Sequence, residues 1–171
     1  EANRDWWGWD GKAPAFARVV WKPIPDDFAR LSALQRSEVD VITNVPPDQM
    51  KIVRTVTVPA TRTVALQSNN TQPPMSDKRV RQALHYATDI NSIVKNLYAG
   101  QGKPCTGGLA DTDFGHNPSL KPYPYDPERA RKLLAESGHP NGIDVTLYAG
   151  SGTMVNDKQL LEALADMWSQ A

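Results

Sequence analysis

Proline and glycine set how long any element of this chain can run. Pro23-Ile24-Pro25, Pro46-Pro47, Pro73-Pro74, Gly107-Gly108 and Pro122-Tyr123-Pro124 recur along it. Proline removes a backbone donor and fixes φ, and glycine accepts conformations that other residues avoid, so these clusters end helices and strands. With fourteen prolines and eleven glycines in 171 residues, the chain is predicted to be a succession of short elements. No stretch approaches the roughly 18 consecutive apolar residues of a membrane span. The first ten residues also lack the basic-then-apolar pattern of a secretory signal.

Between the breaks, periodicity assigns the elements. Asp5-Trp6-Trp7-Gly8-Trp9-Asp10-Gly11-Lys12 is an aromatic loop, followed by a predicted strand at Phe16–Trp21. Burial of the three tryptophans to anchor this loop is the expectation, with a sugar-stacking platform as the rival. Asp26 or Asp27 caps a helix running to Glu38, with Phe28, Leu31 and Leu34 on its inner face, and Val39–Ile42 reads as a further strand. After a short helical segment at Pro47–Arg54, two strands are expected at Val56–Val58 and Thr63–Gln67, separated by Pro59. The run 68–74 is polar and ends in two prolines, which suits a crossing between structural halves.

Ser76 is the expected cap of a helix with Val80, Leu84 and Ala87 on one face, and Asp89 that of a second carrying Ile90, Ile93, Val94, Leu97 and Tyr98. Gly100 and Gly102 stop it. An irregular stretch from Lys103 to Tyr125 follows, and loops of that length within a domain are usually functional or packed by something else. Asp126-Pro127-Glu128 joins an N-cap, a proline at the first helical position and an acidic first turn, the clearest local signal in the chain. That helix is expected to stop at Gly138. Ile143–Tyr148 alternates as a half-buried strand, and Leu160, Leu161, Leu164, Met167 and Trp168 form the stripe of a last helix with no stop signal.

Composition narrows the function. A hydrophobic content of 40% with 22% charged residues belongs to a globular chain with a core. Nineteen basic residues cancel nineteen acidic ones, so the positive field of a nucleic-acid binder is missing and nucleic acid is disfavoured as a partner. Cys105 is the single cysteine, which excludes an internal disulfide and a multi-cysteine zinc site. His85, His116 and His139 have no metal-ligand spacing, so neither metal nor cofactor is expected. There is no Gly-x-Gly-x-x-Gly run, Walker loop or Gly-x-Ser-x-Gly elbow, and an enzyme is not expected.

Three blocks carry a family resemblance. The first is Asn3-Arg4-Asp5-Trp6-Trp7 with Val20–Asp27, Arg30, Leu34 and Glu38-Val39-Asp40-Val41. The second is Asn69 followed by Pro73 through Leu84, then Tyr86-Ala87-Thr88-Asp89; the third is Tyr125 through Leu134 with Glu136, Ser137, Gly138, Asn141 and Gly142. In this order they resemble the extracellular solute-binding proteins of the peptide and nickel class. Ser37 stands where that family usually has glycine, Met75 where it has phenylalanine, and Ser68 where an aromatic often precedes the asparagine.

The resemblance implies an α/β fold, a fragment of the two-lobed periplasmic-binding-protein fold of type II, peptide-binding class. Residues 1–67 would be part of the first lobe, 68–75 the hinge crossing and 76–171 the first part of the second lobe. It further implies non-catalytic capture of a small solute, a short peptide first, for delivery to an ABC permease in the membrane. The location implied is extracytoplasmic, periplasm or cell surface, with a lipid anchor at an N-terminus outside this sequence. The rivals are the ligand-sensing module of a transcriptional or signalling regulator, and a glycoside-processing enzyme using Glu38 or Asp113.

Within that frame the expected ligand-binding residues are Asn69, Asn70, Asp113 and Phe114. Asparagine amides at a hinge suit neutral peptide groups without burying a charge, although turn chemistry alone also accounts for both. Phe114 can pack on a ligand side chain while Asp113 faces an amine, against the alternative of a solvated loop carboxylate. Glu38 and Asp40 share a strand face, where a solvated edge is the default. Lys78, Arg79 and Arg81 spread around a helix and are expected to be solvated or paired with carboxylates.

Overall fold

The computed structural model describes residues 3, 5–9, 15–58, 62–150 and 154–171. Arg4, residues 10–12 of the aromatic loop and Pro59 lie outside the described residues, as does the side chain of Trp9. The chain divides into two units, Glu1–Val41 and Ile42–Ala171.

In the first unit a 3₁₀ turn at Trp7–Trp9 precedes helix α1, Asp27–Gln35. Asp26 caps α1 by accepting from the Ala29 N–H at 2.7 Å. Arg30 folds back from the first turn, its Nη1 donating to the carbonyls of Ile24 and Pro25, both at 2.8 Å, while Nη2 pairs with Asp27. With Arg30 taking the inner side of that turn, Phe28 is 58% exposed rather than buried as expected; Leu31 and Ala33 are the buried residues of α1. The helix stops before Glu38, at Ser37 with φ 58°. The expected burial is not found at Trp6 and Trp7: Trp6 lies over Gly8 and tilts against Trp7, ring centroids 5.5 Å apart, and Trp7 is 87% exposed.

The second unit is built on a helix pair. Helices α2, Lys78–Tyr86, and α4, Pro127–Glu136, meet at Ala83, Ala87, Ala130 and Leu133, all buried. Three alanines at this contact allow close backbone approach, and Leu133 fills the space they leave. The α4 cap is as the sequence predicts, with Asp126 accepting from Arg129 N–H at 2.9 Å and Pro127 in the first turn. The Asp126 N–H donates to the Tyr86 carbonyl at 2.8 Å, tying the start of α4 to the end of α2. At its C-terminus α4 closes on Gly138, φ 91°, with the His139 N–H reaching the Leu134 carbonyl at 2.9 Å.

The cap of α2 is Asp77, not the expected Ser76. Its carboxylate accepts from Arg79 N–H at 2.7 Å and also receives the Arg79 guanidinium, a stronger acceptor set than a serine hydroxyl can offer. Asp89 caps α3, Ile90–Ser92, as expected, and α3 continues into a π-helical turn at Ile93–Leu97. Helix α5, Asp157–Gln170, buries Leu160 and Leu164 against Ile93, with Leu97, Tyr98, Leu147, Met154 and Met167 around them. Asn156, at φ 60°, sends its Nδ2 to the Leu97 carbonyl at 2.9 Å and so satisfies the end of the π turn.

The expected strands at Phe16–Trp21, Val39–Ile42, Val56–Val58, Thr63–Gln67 and Ile143–Tyr148 form no ladder among the described residues. Alternation is nevertheless visible at the last of them: Ile143, Val145 and Leu147 are half-buried and Asp144, Thr146 and Tyr148 exposed. A strand is held by a neighbour's backbone groups, and no described segment supplies them. Of the expected Pro47–Arg54 helix only a 3₁₀ turn, Pro47–Gln49, is present.

Candidate functional site

Two irregular segments carry the predicted site residues, and both are organised by their own side chains. In the segment 68–75, Asn69 Oδ1 accepts from the Thr71 N–H at 3.1 Å and from the Thr71 hydroxyl at 2.7 Å. Asn70 Oδ1 accepts from the Ser68 hydroxyl at 2.7 Å. These are local turn bonds, and they occupy the acceptor side of each amide.

Downstream, the end of this segment is pinned to α2 by Arg81, whose Nη1 donates to the carbonyls of Met75 at 2.6 Å and Ser76 at 3.1 Å. Arg79 pairs with Asp77 at 2.6 Å and donates to the Glu136 carbonyl at the end of α4 at 2.5 Å. Of the basic run, Arg79 is carboxylate-paired as expected, whereas Arg81 bonds backbone. The pairing holds the Asp77 carboxyl well below its ordinary range, at about 2, through the side-chain hydrogen bond from Arg79 first and the backbone bond second.

The Lys103–Tyr125 stretch is irregular throughout, as predicted, and is stitched by short-range bonds. Lys103 meets Asp111 at 2.7 Å, and Cys105 Sγ donates to the Leu109 carbonyl at 3.1 Å. Asp113 makes a reciprocal pair with Ala110: its Oδ2 accepts from the Ala110 N–H at 2.9 Å while its N–H donates to the Ala110 carbonyl at 3.0 Å. The next residue, Phe114, is fully exposed. Asp113 thus spends one carboxylate oxygen on a turn whose neighbour presents an aromatic ring to solvent. The end of the stretch packs on α2, where Tyr123 stacks on His85 at 4.9 Å and meets Tyr86 edge-on at 5.1 Å. Partial shielding of the His85 imidazole lowers its pKa.

Among the described residues no hydrogen bond joins 68–71 to 110–116, so the structure sets Asn69 and Asn70 in one loop and Asp113 and Phe114 in another. Glu38, weighed as a catalytic carboxylate, is bonded by Arg36 Nε at 2.7 Å, and that bond lowers its pKa. Sequence reasoning missed the role of Arg30 and Arg81. The signal was present: each stands four residues after the capping aspartate of a helix that follows a proline-rich segment.

The class follows from fold and sequence together. The family "Bacterial extracellular solute-binding proteins, family 5 Middle" matches residues 1–171. This chain belongs to that family. Among curated relatives, the glutathione-binding protein GsiB of Escherichia coli K12 is 32% identical over 158 residues, covering 89% of this chain. The chain spans 31% of the length of that relative. Among solved structures, the periplasmic binding protein DppA of Helicobacter pylori, in complex with peptide STSA, superposes with a TM-score of 0.72 at 23% identity, covering 84% of this chain and 29% of that one. A dipeptide-binding protein of Pseudoalteromonas sp. SM9913, in complex with Met-Leu, gives a TM-score of 0.67 at 23% identity over 86% of this chain and 31% of its own. The fold is accordingly part of the α/β periplasmic-binding-protein fold of type II, peptide-binding class. Among the described residues no helix is long and apolar enough to cross a membrane.

Proposed function

We propose that this chain is part of a receptor that captures a short peptide outside the cytoplasm and hands it to an ABC permease in the membrane. The observation that carries this reading is the family match along all 171 residues, together with relatives and neighbours whose names record glutathione, peptide STSA and Met-Leu as ligands. Capture of this kind is reversible and non-catalytic, with backbone-directed hydrogen bonds giving affinity. We assign residues 1–67 to one lobe, 68–75 to the hinge crossing and 76–171 to the other lobe, so that closing of the lobes buries the ligand.

The geometry refines the roles of the proposed contacts. With Oδ1 of Asn69 and of Asn70 engaged locally, the Nδ2 groups are what these residues offer to a ligand carbonyl. Phe114 offers an apolar face, and Asp113 holds the turn that presents it. Calorimetric titration of the intact protein with glutathione and a di- to pentapeptide library tests the function. Saturable binding of at least one peptide is expected; no heat from any of them overturns the peptide assignment.

A further inference from the structure

A cavity of about 180 Å³ opens within the second unit, lined by Asn44, Arg62, Val64, Tyr98, Met154 and Val155. Four chain segments distant in sequence supply it, and its walls divide chemically. Val64, Met154 and Val155 are apolar; Asn44, Arg62 and Tyr98 bring hydrogen-bond donors. Pockets that enclose a whole drug-sized ligand run to about 300–1,000 Å³, so this one is sized for one end of a ligand.

Tyr98 carries the distinguishing feature. Its hydroxyl is buried and has no hydrogen-bond partner among the described residues. A buried O–H without an acceptor is costly, and native structures rarely leave one unexplained. Burial, and then the negative charge of Asp157, raises its pKa, so the group remains an O–H donor. Arg62 and Tyr98 both line this cavity, a pair of donor residues that calls for an acceptor-rich group, and a carboxylate can meet both with charge-assisted bonds.

We propose that this cavity is a subsite for a small aliphatic carboxylate, Tyr98 and Arg62 donating to its oxygens while Val64, Met154 and Val155 cover its hydrocarbon part. Where the solute is a peptide, the group bound there is its C-terminal carboxylate beside an aliphatic side chain; only this last identification rests on the solute-capture reading.

The test titrates isobutyrate and, separately, isobutyramide into the intact protein while the tyrosine ring resonances are followed by NMR, Tyr98 being assigned with the Tyr98→Phe variant. Saturable binding of isobutyrate is expected, weaker by about tenfold for isobutyramide and for isobutyrate on Tyr98→Phe or Arg62→Gln. Tyr98→Phe keeps the ring and removes only the unpartnered hydroxyl, so it reports even if Arg62→Gln fails to fold. Absence of an isobutyrate response in the wild type, or equal affinity in Tyr98→Phe, overturns the subsite. Because the probe is not a peptide, failure of the peptide library leaves this result readable, and failure of isobutyrate leaves the library result standing.

Discussion

The indole Nε1 of Trp168 donates to Thr88 Oγ1 at 2.9 Å, across eighty residues of sequence. Thr88 Oγ1 in turn donates to the Leu84 carbonyl at 2.7 Å, so one hydroxyl ties α5 to the end of α2. Trp168 packs against both apolar clusters, the α2–α4 contact and the Ile93–Leu160–Leu164 group, and is the side chain they share. The two clusters are therefore expected to unfold together.

Trp168→Phe keeps an aromatic ring and removes the donor. The Thr88 hydroxyl remains satisfied through Leu84, so the loss should be that of one hydrogen bond plus trimmed packing, about 1–2 kcal/mol. Chemical denaturation followed by circular dichroism checks this, with a single transition at lower midpoint as the expected result. Two separated transitions would show that the clusters are coupled chiefly through Trp168, contrary to a loss confined to one hydrogen bond and trimmed packing.

At the α2–α4 contact, size is the constraint. Leu133→Ala removes a buried leucine and should destabilise by about 2–5 kcal/mol. Ala83→Leu adds volume where Ala83 is 1% exposed and should cost about 1–3 kcal/mol by overpacking. Denaturation midpoints of both variants give the answer; a neutral Ala83→Leu would mean that the helices are free to move apart.

How much of this was legible in the sequence depends on how local the cause is. The Asp126-Pro127 start and Gly138 stop of α4, the Asp89 cap and the absence of regular structure from Lys103 to Tyr125 each follow from residues a few positions apart, and the structure has them. Phe28 was misplaced because periodicity cannot tell that Arg30 will fold back on Ile24 and Pro25 and take the inner side of the first turn. The strand segments show the other limit. Alternation at Ile143–Tyr148 sets which side chains face inward, but a ladder needs partner strands, and pairing is a property of the whole sheet rather than of the segment. Of the candidate segments, the irregular course of 68–75 and 103–125 was readable; the bond between Asp113 and Ala110 is local but needs the turn's backbone geometry, and the cavity at Tyr98 depends on which distant segments meet.

Arg81 should behave as a structural clamp. It gives two charge-assisted bonds to the carbonyls of Met75 and Ser76, as Arg30 does to Ile24 and Pro25. Arg81→Met keeps the apolar stem and loses the donors, at a cost of about 1.5–3 kcal/mol. Hydrogen exchange should accelerate at 72–76 while the centre of α2 stays protected. Uniform acceleration across α2 would instead assign Arg81 to the helix itself.

The Asp77–Arg79 pair gives a pH signature. The folded carboxyl, at about 2, lies below the ordinary 3.8, so this carboxylate's contribution is present above 3.8 and is lost as pH falls through about 2. Carboxyl NMR titration should show the low midpoint in the wild type and a return toward 3.8 in Arg79→Gln. An unchanged midpoint in Arg79→Gln would shift the cause to the backbone cap.

Asp113 separates two accounts of the loop. If its charge faced a ligand amine, Asp113→Asn would weaken peptide binding as much as Asp113→Ala does. In the structure its Oδ2 accepts from the Ala110 N–H and its own N–H returns the bond, a role an asparagine oxygen fills without charge. Asp113→Asn should therefore bind peptide with wild-type affinity, whereas Asp113→Ala releases the turn and lets Phe114 wander. The loss in Asp113→Ala should approach that of Phe114→Ala, about tenfold for one exposed aromatic that becomes covered by a ligand. Calorimetry of the three variants with the tightest library peptide decides it. Equal losses in Asp113→Asn and Asp113→Ala would make the carboxylate a direct ligand contact, and an unaffected Phe114→Ala would remove the loop from the site altogether.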